Sequence, residues 1–282
     1  MHNRHMSRYF FVFVFPTLLA FLLSFVIPFI LGIVLSFTDF TSIIDAKWVG
    51  ISNYIEAFSN KDFLNALRFT VKIAIVTVIT VNFFAMCLAL LLTRKIRGTN
   101  VFRAIFFMPN LIGGIVLGYI WQLIINGVLY KFGVTLTYKP EYGFWGLVIL
   151  MNWQMIGYMM VIYIAAIQSI PNTLIEAAKI DGASPFQILT RIKLPIIMPS
   201  ITICLFLTMA NSFKNFDSNL ALTAGAPSRK TAMLALDIYN TFYNTLNGEG
   251  VGQAKAVVFF IIVAVIAFLQ LKLTRRKEVD NV

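Results

Sequence analysis

The sequence predicts an all-α integral membrane protein with six transmembrane helices and both termini in the cytoplasm. Three observations predict it. The 282 residues have a mean hydropathy of +0.81 and only 12% charged residues, about half the ~25% usual in a soluble domain. The charges fall in short stretches that separate long neutral windows. The densest basic clusters, Arg94-Lys95-Ile96-Arg97 and Arg275-Arg276-Lys277, fall on the same side as Arg4 and Arg8 once six spans are threaded, as expected of cytoplasmic segments. The net charge of +11 is then a topology signal, and no nucleic-acid partner is needed to explain it.

The neutral windows are Tyr9–Thr38, Ile73–Thr93, Ala104–Tyr130, Tyr142–Ile175, Leu194–Phe213 and Ala256–Leu271. About 20 residues at 1.5 Å rise cross a hydrocarbon core of about 30 Å, and the first five windows are long enough. The first far exceeds the about 7–15-residue apolar core of a cleavable signal peptide, so it reads as a retained span. The last window is short. It crosses if Lys255 and Lys272 lay their stems along the helix and place their ammonium groups at the two interfaces. Residues 1–8 and 275–282 then form cytoplasmic tails around a spanning domain over 9–274.

The connections are also legible. WVGISNYIEAF, Trp48 to Phe58, has the Trp and Tyr content of a segment lying at the membrane surface; a packed external loop with a short helix is the preferred reading. Pro109-Asn110 followed by Gly113-Gly114 marks a kink and close-packing point in the third span. After Asp217 come a loop around Gly225-Ala226-Pro227, a short helix near Thr231–Tyr243, and a flexible lead through Gly248, Gly250 and Gly252. Cys87 and Cys204 lie within apolar runs as small buried residues, and His2 and His5 belong to the N-terminal tail. No metal spacing is present in the sequence.

One loop, residues 169–198, is richer than a connection requires. It contains EAAKIDGASPFQILTRIKLP, Glu176 to Pro195. Pro171-Asn172-Thr173 offers a polar helix start with Glu176 early in the helix, where the positive helix end favours an anion. Ala177 and Ala178 are strong helix formers with little bulk. Gly182 suits the left-handed residue that closes a helix. Ser184, Pro185 and Gln187 spell a capping box for a second helix, with Ile188, Leu189 and Ile192 as its apolar stripe. Two short helices joined by a tight turn describe a docking knob and an ordinary capped loop equally well.

A resemblance decides between them. Glu176-Ala177-Ala178, three residues, Gly182, nine residues, Ile192, one residue and Leu194-Pro195 is similar at every defining position to the EAA loop of ABC importer permeases, the binding-protein-dependent transport inner-membrane components. WVGISNY, RKIRGTNVFRAIFFMPN, IQSIPNTLIEAAKIDGAS and NSFKNFD resemble the carbohydrate-uptake branch, and the resemblance covers nearly the whole chain. It implies the type I permease architecture in a bacterial plasma (inner) membrane. It further implies a heterodimer with a second related permease, a cytoplasmic ATPase dimer that binds ATP and magnesium, and an extracytoplasmic solute-binding protein. No cofactor is implied in this chain. Glu176 and Gly182 would be the central coupling residues, with Ala177, Ala178 and Asp181 shaping the docking face, Ile192 belonging to the same coupling set, and Leu194 and Pro195 fixing the joint to the next span. The loop would act as differential contacts that let ATP bias one arrangement of the spans.

This chain has no ATPase motif of its own. GAPSRKT, Gly225–Thr231, is the nearest look-alike to a phosphate-binding loop, and it has Arg229 where the second glycine is required. For a solute path, polar residues within spans are the candidates: Asn82, Asn110, Gln122, Asn152, Gln154, Tyr158, Gln168, Asn211 and Lys214. Asn152-Trp153-Gln154 with Tyr158 one turn on supplies the amides, hydroxyl and aromatic platform that suit a sugar, and Asn211, Lys214 and Asp217 recur at helical spacing at the end of the fifth span. Hydrogen bonding between helices explains each of these residues equally well. A glycerol-phosphate-like solute, a peptide or a polyamine would use the same machinery. A self-sufficient secondary carrier is disfavoured because the middles of the windows lack ionisable residues, and a membrane enzyme because no His, Asp, Glu or Cys cluster gathers at either face.

Overall fold

The computed structural model describes residues 13–94 and 97–279. The expected tail 1–8, with its histidines and Arg4 and Arg8, lies outside them, as do Lys95, Ile96 and residues 280–282. Among the described residues the helices are α1 (Phe13–Leu35), α2 (Ser52–Ser59), α3 (Lys61–Leu92), α4 (Thr99–Phe107), α5 (Gly114–Leu129), α6 (Pro140–Gln168), α7 (Asn172–Ile180), α8 (Pro185–Ile196), α9 (Met198–Phe213), α10 (Asp217–Leu222), α11 (Leu234–Asn244) and α12 (Glu249–Val279). Five are long and apolar enough to cross a membrane: α1, α3, α5 with its continuation to Phe132, α6, and α12 as far as Lys272. The pair α8 and α9, bent by 70°, makes a sixth if the two are counted as one broken span.

The chain forms two compact units. One runs through Asn60 and takes in Ile238–Phe260; the other is Lys61–Asp237 with the chain from Ile261 onward.

In the first unit, β1 (Thr38–Asp39) pairs antiparallel with β2 (Lys47–Trp48) just beyond α1. A short turn over Ile43–Asp45 carries a capping box between Ser42 and Asp45. The Thr41 hydroxyl and the Ser42 backbone N–H hold the Asp45 carboxyl below the usual carboxylate range. Phe29 of α1 meets Phe260 of α12 edge-on at 4.7 Å.

Two expectations fail in this unit. The glycines at 248–252 open α12 rather than forming a flexible lead. A Cβ at Gly250 would come within 2.5 Å of the Thr38 carbonyl, and one at Gly252 within 2.9 Å of Phe242 Cβ. They are small because backbone and side chains pass close by. Lys255 is fully buried, with Nζ donating to Thr241 Oγ1 at 2.7 Å, so its head is held inside the protein rather than turned out of it. With that group hydrogen-bonded inside the protein, the last span extends past Lys255 to begin at Glu249.

The second unit is built on α6, which packs along α3, α4 and α9. Its core includes Val81, Ala85 and Ala89 of α3 and Leu147, Leu150, Met159 and Met160 of α6. Tyr163 O–H donates to Asn82 Oδ1 at 2.7 Å, and Asn82 Nδ2 donates to Thr208 Oγ1 at 3.2 Å, tying α6, α3 and α9 together. Asn82 is thus a helix–helix bond, and so is Gln122, whose Nε2 donates to the Leu222 carbonyl at 3.0 Å.

The third window is not one helix. Pro109 lacks the N–H that would continue α4, so Met108–Leu111 tightens into a 3₁₀ turn before α5 begins at Gly114. Gly114 and Gly118 let α5 approach α10, since Cβ atoms there would stand 2.8 Å from Asp217 Cβ and 2.7 Å from Ala221 Cβ. The loop after α10 is held by Asn219, which donates to the Thr231 carbonyl and accepts from the Met233 N–H, both at 2.8 Å.

The closest approach is at Gly157 of α6, where a Cβ would fall on the carbonyl of Phe106 in α4. Backbone cannot yield as a flexible side chain does. Gly157→Ala is expected to separate α4 from α6 at a cost of about 1–3 kcal/mol, the range for overpacking. A lowered midpoint of thermal unfolding in detergent checks this, and an unchanged midpoint would show that α4 is free to shift.

Candidate functional site

Two places carry the candidate residues. The first is the α7–α8 loop. The expected polar cap at its start is absent: Pro171 precedes the helix without a side-chain bond, and Asn172 and Thr173 lie within it. The close of α7 is as expected. Gly182 has φ +78°, its N–H donates to the Lys179 carbonyl at 3.1 Å, and the Ala183 N–H donates to the Ala178 carbonyl at 2.9 Å. This crossed pair is the Schellman arrangement that satisfies the last carbonyls of a helix. The capping box of α8 forms as well, with the Ser184 N–H donating to Gln187 Oε1 at 2.7 Å and the Gln187 N–H to Ser184 Oγ at 3.3 Å.

The loop presents Glu176, Ala177, Asp181 and Gly182 to the outside, while Ala178 is turned inward and Ile192, Leu194 and Pro195 are half-buried. Beside Gly182 stand Ile180 and Phe186, both strongly exposed. Sequence reasoning passed over this pair; the signal was two large apolar residues in an otherwise polar turn. The following stretch widens to a π turn over Leu189–Lys193 and then bends at Ile197. Pro195 and Pro199 flank that bend, and neither has an N–H to carry a helix through it.

The second place is a polar cavity of about 580 Å³, within the ~300–1,000 Å³ typical of ligand pockets. Gln154 and Tyr158 of α6 form one wall. Asn211 of α9 and the turn Lys214-Asn215-Phe216 form another, and Asn110 of the 3₁₀ turn and Gly114 close a third side. Gln154 Nε2 reaches the Ile112 carbonyl in a long 3.5 Å bond. Asn215 Nδ2 is buried and has no hydrogen-bond acceptor among the described residues. Asn215 was missing from the expected set because it is out of step with the helical spacing of Asn211 and Lys214 from which that end of the set was read.

The cavity brings together five of the expected path residues: Asn110, Gln154, Tyr158, Asn211 and Lys214. Asn152 and Trp153 are placed elsewhere. Asn152 Nδ2 donates to the Val148 carbonyl of its own helix at 2.8 Å. Trp153 meets Trp121 edge-on at 5.6 Å and lines a separate apolar cleft with Phe84, Cys87 and Pro109. One helical residue is 100° of rotation, so Asn152 and Trp153 turn away from the face of α6 that carries Met151, Gln154, Met155 and Tyr158 to the cavity. Among the described residues, no group of three His, Cys, Asp or Glu side chains could hold a metal ion.

The family described as "Binding-protein-dependent transport system inner membrane component" matches residues 97–279, a span that contains both places. The chain belongs to this family. It is a multi-pass permease of the inner membrane, a transport subunit and not an enzyme. The permease is 45% identical over 281 residues, covering 96% of each chain, to the "Probable starch degradation products transport system permease protein AmyD" of Thermoanaerobacterium thermosulfurigenes. It is 30% identical to the "Multiple sugar-binding transport system permease protein MsmF" of Streptococcus mutans, over 86% of this chain and 87% of the relative. A permease chain in a crystal structure of a bacterial alginate ABC transporter, in complex with an alginate pentasaccharide-bound periplasmic protein, has the same fold. Its TM-score is 0.82 at 21% identity, over 98% of this chain and 97% of the other.

A buried amide that donates to a solute hydroxyl contributes about 1 kcal/mol, roughly fivefold in affinity. Asn215→Leu is therefore expected to raise KM for uptake about fivefold, while Trp153→Ala leaves uptake kinetics unchanged. Uptake of labelled solute by proteoliposomes separates the two; the opposite ranking would move the solute path to the apolar cleft.

Proposed function

We propose that this permease translocates a sugar or oligosaccharide handed over by an extracytoplasmic solute-binding protein, with ATP and magnesium bound by a separate cytoplasmic ATPase dimer. The observation that carries the cargo is the polar cavity. Its walls offer the amides of Asn110, Gln154, Asn211 and Asn215 and the hydroxyl of Tyr158, the groups that match a polyhydroxylated solute. Lys214 and Asp217 add one charge of each sign, which suits a neutral cargo better than an ionic one. The names of the relatives, starch degradation products and multiple sugars, point the same way.

Coupling falls to the α7–α8 loop, with Glu176 and Gly182 at its centre and Ala177, Ala178 and Asp181 supporting them. Ile180 and Phe186 add apolar area that an ATPase cleft would bury. A second, related permease would complete the translocation path as a heterodimer. The distribution of Lys and Arg supports a cytoplasmic position for the loop and for both termini.

Two experiments test this. Among the described residues, apart from its two chain neighbours, nothing lies within 4 Å of a Cβ built at Gly182, so any large effect of Gly182→Asp beyond backbone strain of about 1–2 kcal/mol arises from a docked partner. Gly182→Asp is expected to insert normally and to lose solute-stimulated ATPase activity, with Gly182→Asn, a residue that accepts a left-handed φ, as the control for strain. Unchanged stimulation in the aspartate variant would sink the coupling role. For the cargo, uptake of a neutral malto-oligosaccharide is expected to survive Lys214→Gln. Uptake confined to an anionic solute, and abolished by Lys214→Gln, would replace the sugar with a phosphate-bearing cargo.

A further inference from the structure

The segment that follows the first span contains a helix with three distinct faces. In α2, Asn53 and Ala57 point into the protein and are buried. Ser52, Glu56 and Ser59 form an exposed polar strip. Ile51, at the helix start, with Ile55 and Phe58 forms an apolar strip that is 63%, 60% and 50% exposed. Trp48 is 70% exposed, with its ring stacked on Phe37 at 5.5 Å.

Hydrogen bonds fix the depth of this helix. Asn53 Nδ2 donates to the Ser36 carbonyl at 3.0 Å and to the Thr38 carbonyl at 2.9 Å, and the Ser36 and Tyr54 hydroxyls stand 2.6 Å apart. Ser36 is the residue that closes α1. The helix α2 is therefore fastened to the end of a membrane span, at the level where hydrocarbon gives way to headgroups. Trp and Tyr are enriched at that level, and a helix with adjoining polar and apolar strips lies in its plane. Lys47, exposed beside Trp48, can meet lipid phosphates.

We propose that α2 is a membrane-surface helix whose strip of Trp48, Ile51, Ile55 and Phe58 is immersed in the leaflet at which α1 ends, so that α2 sets the depth of that span. A neighbouring protein subunit is the competing occupant. Lipid is favoured because the apolar strip adjoins a polar strip that must stay wet, as at a headgroup boundary.

Single cysteines replacing Ile51, Ile55, Phe58, Ser52 and Glu56, in a Cys87→Ser background with the buried Cys204 retained, would be spin-labelled. The full chain, with the subunits that co-purify, would be reconstituted into phosphatidylcholine–phosphatidylglycerol liposomes. Collisional relaxation by oxygen and by a water-soluble nickel chelate then reads the surroundings of each label. Oxygen access is expected to exceed nickel access several-fold at 51, 55 and 58, and the order to reverse at 52 and 56. Labels at 51, 55 and 58 closed to both reagents would place a protein subunit over the strip and overturn the proposal. Nickel access at those three sites equal to that at 52 and 56 would place the strip in water and overturn it as well.

Discussion

The second unit depends on one constraint: a backbone N–H or C=O inside a membrane has no water to pair with. A spanning helix can therefore stop only where other protein, or a wet cavity, meets its loose ends. This chain interrupts its helices at Met108–Leu111, at Ile197, and again between Phe213 and Asp217. The first and last of these interruptions face the same polar cavity. The cavity is where broken helices are tolerated, and the breaks supply its polar lining: Asn110 from one, Lys214 and Asn215 from the other. Gln154, on the unbroken α6 opposite them, reaches the carbonyl of Ile112 that the first break leaves exposed.

Broken helices hold their places only if their neighbours come close, and glycine permits this. Gly157 admits the backbone of α4 against α6, and Gly114 and Gly118 admit α10 against α5. With little hydrophobic drive between helices in lipid, close packing and interhelical hydrogen bonds do most of the work. The Tyr163–Asn82–Thr208 chain adds specificity at a cost to nothing else, because each member finds a partner in the core. Side chains at these glycines would force the walls apart, so the shape of the cavity is set by what is missing from neighbouring helices as much as by what lines it.

Much of this was legible in the sequence, and the failures share a cause. The helix stop at Gly182 and the capping box at Ser184 were readable because local backbone chemistry decides them. The break at Pro109-Asn110 was readable as a kink, though not as the end of a helix. Hydropathy windows record how apolar a stretch is but not where each residue points. Trp153 and Gln154 are adjacent in sequence yet face an apolar cleft and a polar cavity. The glycines at 248–252 looked flexible because a glycine made small by a crowded neighbour reads the same as one in a free loop. Lys255 looked interfacial because its acceptor, Thr241, lies on a different helix.

The two candidate places are parts of one lever. The helix α8 leaves the capped loop, passes through a π turn and bends by 70° into α9. At its far end α9 delivers Asn211, Lys214 and Asn215 to the cavity. At 1.5 Å per residue, the α9 segment alone spans roughly 24 Å, and along its length it is pinned to α3 by the Thr208–Asn82 bond. A stiff rod pinned partway along, with a bend near one end, would convert a small displacement of the loop into movement of the cavity wall. The bend is flanked by Pro195 and Pro199, and the π turn beside it has already given up regular spacing, so any flexing would fall at the joint rather than in the rod. A partner that closes on Glu176, Gly182 and the exposed Ile180 and Phe186 would therefore act on the amides that line the cavity without touching them.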